Sequence, residues 1–165
     1  MIWPVLVCIC VIILYFSYYY RYPKKTSILQ TSLNQFAFGI LLEKQPVVID
    51  NKDCDLAEMK NAWFKINPSQ TFSLNDSDMW HTNRYKYALI HASSANTEVL
   101  LVNPNKKLGP DGEPQEGENV VAIQLSRGQL LILPFKWHYI IPKNNSQAIN
   151  CEALGVHDFV TYFLP

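Results

Sequence analysis

The chain opens with almost uninterrupted apolar residues from Ile2 to Phe16, runs on through Ser17 to Tyr20, and meets its first cations at Arg21, Lys24 and Lys25. About 20 such residues at 1.5 Å rise match the roughly 30 Å hydrocarbon core of a bilayer. Trp3 at one end and Tyr18, Tyr19, Tyr20 and Tyr22 at the other stand where interfacial aromatics belong. The pattern predicts a transmembrane anchor over residues 1–22, with residues 2–20 in the lipid bilayer. A cleaved signal peptide is the rival reading, but there is no basic start and no small-x-small site before Arg21. With the flanking Lys and Arg all on the C-terminal side, the positive-inside rule predicts a single-pass protein whose residues 26–165 face the cytoplasm.

From residue 23 to residue 45 polar Thr, Ser, Gln and Asn alternate with Leu29, Leu33, Phe36, Ile40 and Leu41. Their three-and-four spacing predicts an amphipathic helix, capped by Thr31 or Ser32 and ended by Gln45-Pro46. Val47-Val48-Ile49 is a β-branched run suited to a buried strand, and Asp53-Cys54-Asp55 ahead of Leu56, Met59 and Trp63 predicts a second short helix. After Asn67-Pro68-Ser69 the period changes. Residues 87–90, 98–102, 120–125, 130–133, 139–141 and 159–163 are strand-like runs divided by turn formers. Several are continuously apolar, as in strands covered on both faces, and such spacing predicts a β-sandwich or barrel over residues 46–165. Residues 103–119, NPNKKLGPDGEPQEGEN, have the composition of an exposed loop.

Composition narrows the function classes. In 165 residues, 14 basic and 14 acidic side chains cancel and no dense Lys/Arg run occurs, so nucleic-acid binding is not expected. Of four cysteines, Cys8 and Cys10 belong to the apolar start, leaving Cys54 and Cys151 as two thiols or one bridge, with free thiols preferred. The sequons at Asn75 and Asn144 would go unmodified on the cytoplasmic side.

Two motifs carry a family resemblance. Gln45-Pro46-Val47-Val48-Ile49, following the helical segment, and LSRGQLLILPFKWHYI from Leu125 to Ile140 resemble the entry segment and the closing strand pair of the cupin-like JmjC and asparaginyl-hydroxylase superfamily. The resemblance covers roughly residues 35–142. It implies a mainly β fold, a double-stranded β-helix or β-sandwich with one or two N-terminal helices, here preceded by the transmembrane helix. Local chemistry agrees: Gly128 permits a positive φ before a strand, Pro134 stops that strand, and His138 opens the next, placed to point into the barrel.

Active members of that superfamily hold Fe(II) with a His-x-carboxylate pair and a distant second histidine, leaving positions for 2-oxoglutarate and oxygen. The resemblance maps these ligands onto His81, Asn83 and His138. Asn83 stands where the acid belongs, and a neutral amide binds a hard cation less strongly than a carboxylate. The basic residue that the superfamily uses to hold 2-oxoglutarate has no counterpart between Tyr87 and Glu98; Lys86 lies just before that run. His91 reads as a core or rim histidine, and His157 as a surface one.

The sequence is therefore read as a membrane-anchored, non-catalytic cupin-like scaffold or protein-interaction module that needs no cofactor and binds another protein. A virion membrane or a capsid layer is one setting for it. The alternative is an Fe(II)/2-oxoglutarate dioxygenase with an altered metal site. A third reading is a small-ligand or sugar-binding barrel whose mouth is lined by Trp80, Trp137, Tyr139 and His138. The relative placement of His81 and His138 separates these readings, because two ligands of one ion bring their nitrogens within about 3 to 3.5 Å.

Overall fold

The computed structural model describes residues 2–50, 69–71, 79–115, 119–142 and 149–154. Its first element is a helix, α1 (Ile2–Tyr20). No helix among the described residues is long and apolar enough to cross a membrane. That finding overturns the transmembrane anchor over residues 1–22, the single-pass topology and the cytoplasmic placement built on it. Length gives the physical reason: the apolar stretch from Ile2 to Phe16 rises only about 22 Å against a core of roughly 30 Å, and Ser17 interrupts it.

The amphipathic helix expected before Gln45 does not form. Residues Leu29–Ser32 make strand β1 instead, followed by 3-10 turns at Leu33–Gln35 and Phe38–Glu43. Ser32 precedes the first turn without giving it a side-chain cap. Strand pairing wins because β1 has a partner: it lies parallel to β2 (Val47–Asp50), with Leu29 opposite Val47 and Thr31 opposite Ile49. The three-and-four spacing nevertheless reports one-sided burial. Leu33, Phe36, Ile40 and Leu41 all pack on one apolar cluster.

Among the described residues eight further strands follow: β3 (Ser69–Thr71), β4 (His81–Thr82), β5 (Tyr87–Ala92), β6 (Thr97–Val102), β7 (Val121–Leu125), β8 (Leu130–Pro134), β9 (His138–Ile140) and β10 (Ile149–Leu154). One sheet runs β1-β2-β8-β5-β10-β3 and the other β4-β9-β6-β7. From β3 onward every pairing is antiparallel. Consecutive strands alternate between the two sheets along much of the chain, which is jelly-roll wiring. The mainly β expectation thus holds. Strands β5 to β9 coincide within a residue or two with the apolar runs, whereas β3, β4 and β10 were not predicted. The second helix, the sequons, the Cys54 side of the cysteine question, the strand at 159–163 and His157 lie outside the described residues.

Alternation along the strands assigns each side chain to a layer. Ala88, Ile90, Leu131 and Leu133 from the larger sheet meet Val99, Leu101, Ile123, Leu125, Trp137 and Tyr139 from the smaller one in a single core between the sheets. The other face of the larger sheet presents Val47, Ile49, Leu89, Leu130 and Ile132, covered by the turns around Leu41. This is why β8, LLILP, is buried at every position. The outer face of the smaller sheet is left partly to solvent, and β7 alternates accordingly, with Ile123 and Leu125 buried and Ala122 and Gln124 exposed.

Candidate functional site

The candidate residues converge where β4 runs beside β9 at the edge of the smaller sheet. Gly128, at φ 88°, makes the turn into β8. Pro134 ends that strand, and Lys136 at φ 64° swings the chain round so that β9 starts at His138. The local geometry expected from the sequence is therefore present. What differs is the direction of the histidine.

In the antiparallel β4–β9 pair, His81 lies opposite Tyr139 and Thr82 opposite His138. Directly opposed residues share a face, and neighbours along a strand do not. The His81 and Tyr139 rings accordingly lie 5.7 Å apart, centroid to centroid, on the inner side. Tyr139 belongs to the core between the sheets. His138 turns to the outer side, where its Nδ1 meets the Thr82 hydroxyl at 2.8 Å. His81 and His138 therefore sit on opposite faces of the sheet, and His138 does not point into the barrel as the sequence suggested.

Asn83 is on the inner side with His81, and its amide is committed. Nδ2 donates to the Leu133 carbonyl at 2.8 Å and the Pro134 carbonyl at 2.9 Å, while Oδ1 accepts from the Tyr85 amide at 3.0 Å. Its backbone joins the same bend, with its N–H donating to Trp137 O and its carbonyl accepting from Lys136 N–H, both at 2.8 Å. Asn83, only 2 % exposed, knits the loop before β5 to the bend between β8 and β9. Two inward carbonyl oxygens require a donor there, and an amide supplies both N–H groups where a carboxylate supplies none.

The other expected residues scatter. Trp137 is wholly buried in the core, its indole N–H donating to the Lys44 carbonyl at 3.0 Å. Tyr139 is 4 % exposed and packs in that core, so neither ring is offered to a ligand. Trp80 is half-buried just before β4. His91 alternates with Tyr87 and Leu89 and so faces the outer side of the larger sheet, away from the space between the sheets. Lys86 is exposed at the start of β5. Set against this geometry, His81, Asn83 and His138 do not fit as ligands of one Fe(II): one faces away, and the amide is spent on backbone carbonyls. No group of three or more His, Cys, Asp or Glu suited to a metal ion occurs among the described residues.

No family model matches this chain, and neither does any curated protein.

On the outer face, His138 joins three segments. It bonds Thr82 on β4 and the backbone of Lys106 in the loop after β6. Burial lowers its imidazole pKa below the ordinary value, and the Lys106 bond raises it only in part. Neither Thr82 nor Lys106 was singled out from the sequence. A Thr directly before the buried Asn83 gives no signal of its own, but Asn103-Pro104-Asn105 is a recognisable Asx-turn sequence that brings Lys106 round.

A pH dependence follows. A histidine whose folded pKa is depressed contributes stability that is complete above its unfolded value of about 6.5 and is lost as pH falls through the folded value. The His138→Gln variant should lose that dependence. Urea midpoints at about pH 7.5 and about pH 5.5 should therefore fall further apart in the native chain than in the variant. Equal separation would show that His138 titrates alike folded and unfolded.

Proposed function

We propose that the chain is a non-catalytic interaction module. In this reading a cupin-like jelly-roll body holds its shape through a filled interior and presents α1 to a partner protein. The observation that carries the non-catalytic part is the commitment of Asn83 to the Leu133 and Pro134 carbonyls, with His138 turned to the opposite face. Strand order and the Gly128 turn support the cupin-like part.

The surface of α1 supports the partner. Val11, Ile12, Ile13 and Leu14 are exposed at 59, 53, 57 and 69 %. Four consecutive residues at 3.6 per turn sample every face of a helix, so α1 is apolar all round and exposed all round. A helix of that kind is one that other apolar surface covers. A partner protein with an apolar groove supplies it without requiring α1 to span a bilayer.

The test is a photo-crosslinking residue placed at Leu14 and, separately, at the exposed Ser94 in the turn between β5 and β6, with the full chain in its native cells. The expected result is an adduct with one protein of discrete mass from Leu14 and none from Ser94. Absence of a protein adduct at Leu14, or equal adducts from both positions, would count against the module.

A further inference from the structure

Lys44 is pinned from backbone to tip. It adopts the left-handed region at φ 53°, its N–H donates to the Leu41 carbonyl at 3.2 Å, and its carbonyl accepts from the Trp137 indole at 3.0 Å. At the far end, Nζ donates to the Arg21 carbonyl at 3.0 Å and lies 4.9 Å from the centre of the Tyr22 ring. The side chain lines a pocket whose described walls, apart from Lys44 and the exposed Lys86, are the rings and alkyl groups of Tyr22, Leu41, Tyr87, Pro134 and Phe135. Lys44 is half-buried there, so a small solute reaches its amine while most of the surroundings are carbon.

An ammonium is costly to desolvate and a neutral amine much less so. Burial accordingly lowers the Lys44 pKa to about 8, although the Arg21 carbonyl and the Tyr22 ring both favour the charged form. At about pH 7.5 roughly a quarter of such amines are neutral, against roughly one in a thousand for an ordinary lysine. Only the neutral form carries the lone pair that attacks carbon, and desolvation in an apolar pocket is one way a lysine is made nucleophilic near neutral pH.

We propose that Lys44 captures a small aldehyde as an imine in this pocket. The Nζ lone pair forms a bond to the aldehyde carbon, the carbonyl oxygen takes up a proton from the nitrogen, and water leaves as the C=N double bond closes. Neither an oxidant nor a reductant is needed. The pocket sets the size of the aldehyde. Its volume is about 50 Å³, and a single water takes roughly 10 to 15 Å³ of such space, so about three or four non-hydrogen atoms fit. Walls of carbon suit an alkyl end. Because Lys44 is already fixed at both ends, little ordering is needed when the bond forms. Capture is reversible, involves no turnover and uses none of the exposed residues of α1, so it stands whether or not a protein covers that helix.

The test treats the full chain with acetaldehyde and cyanoborohydride at about pH 7.5, which fixes each imine as an ethylated amine, and follows every lysine by peptide mapping. Lys44 should be modified about tenfold faster, or more, than the exposed Lys25 and Lys107. The α-amino group of Met1 is also partly neutral at this pH and is scored separately. Naphthaldehyde, too large for the pocket, should show no preference for Lys44. Concentrated urea, which removes the pocket, should abolish the preference for acetaldehyde as well. Because the native chain carries the measurement, no variant has to fold. Three results would overturn the proposal: Lys44 modified no faster than Lys25 and Lys107 in the folded chain, naphthaldehyde showing the same preference as acetaldehyde, or the preference persisting in urea.

Discussion

Replacing Asn83 by Asp is expected to destabilise the fold by about 3 kcal/mol at neutral pH and to create no iron site. In the superfamily that the motifs resemble, this change would restore the missing acid. Here it removes both N–H donors that meet Leu133 O and Pro134 O and puts a carboxylate oxygen against two carbonyl oxygens in a buried position. Leaving buried acceptors without donors costs roughly 1 to 3 kcal/mol each, and an unpaired buried charge adds to that. The backbone bonds from Asn83 to Trp137 and Lys136 are untouched, so the loss falls on the side chain.

The sign of its pH dependence is fixed by the same contacts. Burial and the facing carbonyls raise the folded pKa of an Asp at this position above its unfolded value of about 3.9. The part of the penalty due to the charge is then absent below that value, where the protonated acid donates one hydrogen bond and one carbonyl is still left without a donor, and it grows as pH rises toward the folded pKa. Urea unfolding of native and variant chains at about pH 4 and about pH 7 should show the gap widening with pH. A variant as stable as the native chain at neutral pH would remove the structural role assigned to Asn83.

Replacing Trp137 by Ala should cost about 4 kcal/mol. The indole fills the core between the sheets, and its loss both opens a cavity there and leaves the Lys44 carbonyl without the N–H that reaches it. Trp137→Phe separates the two contributions, since it keeps most of the volume and loses the hydrogen bond, and a loss of about 1 to 2 kcal/mol is expected. Denaturant midpoints with unchanged slopes would place these losses in the folded state. If Trp137→Ala cost less than Trp137→Phe, the ring would not be a core element, and a ligand-lining role for it would regain support.

How far the sequence was legible depended on period. Strands β5, β6 and β8 were readable because each is an apolar run of five or six residues bounded by turn formers, and Gly128 and Pro134 marked the turn and the strand end. Strand β4, two residues long, offers no period to read. The segment before Gln45 misled because Leu33, Phe36, Ile40 and Leu41 do bury one side, but in 3-10 turns laid on a sheet rather than on a continuous helix. The apolar start was read correctly as helical and wrongly as membrane-spanning, since composition reports hydropathy more readily than the length over which it persists.

The site was harder still. Its residue types and order were visible, yet its function turned on a shift of one position in the pairing of β4 with β9. Because side chains alternate, such a shift carries a histidine from the interior to the exterior. Trp137, Tyr139 and Ile141 occupy the inner positions, all of them in the core, and His138 falls between them. No motif spells out that register; only the opposing strand does.

The central claim, that His81, Asn83 and His138 serve the fold and do not form one metal centre, is tested most directly by anaerobic calorimetric titration of the purified full chain with Fe(II). The account predicts no saturable one-to-one uptake, and no difference between the native chain and the His81→Ala and His138→Ala variants. One equivalent of iron taken up tightly by the native chain, and lost in both variants, would contradict it.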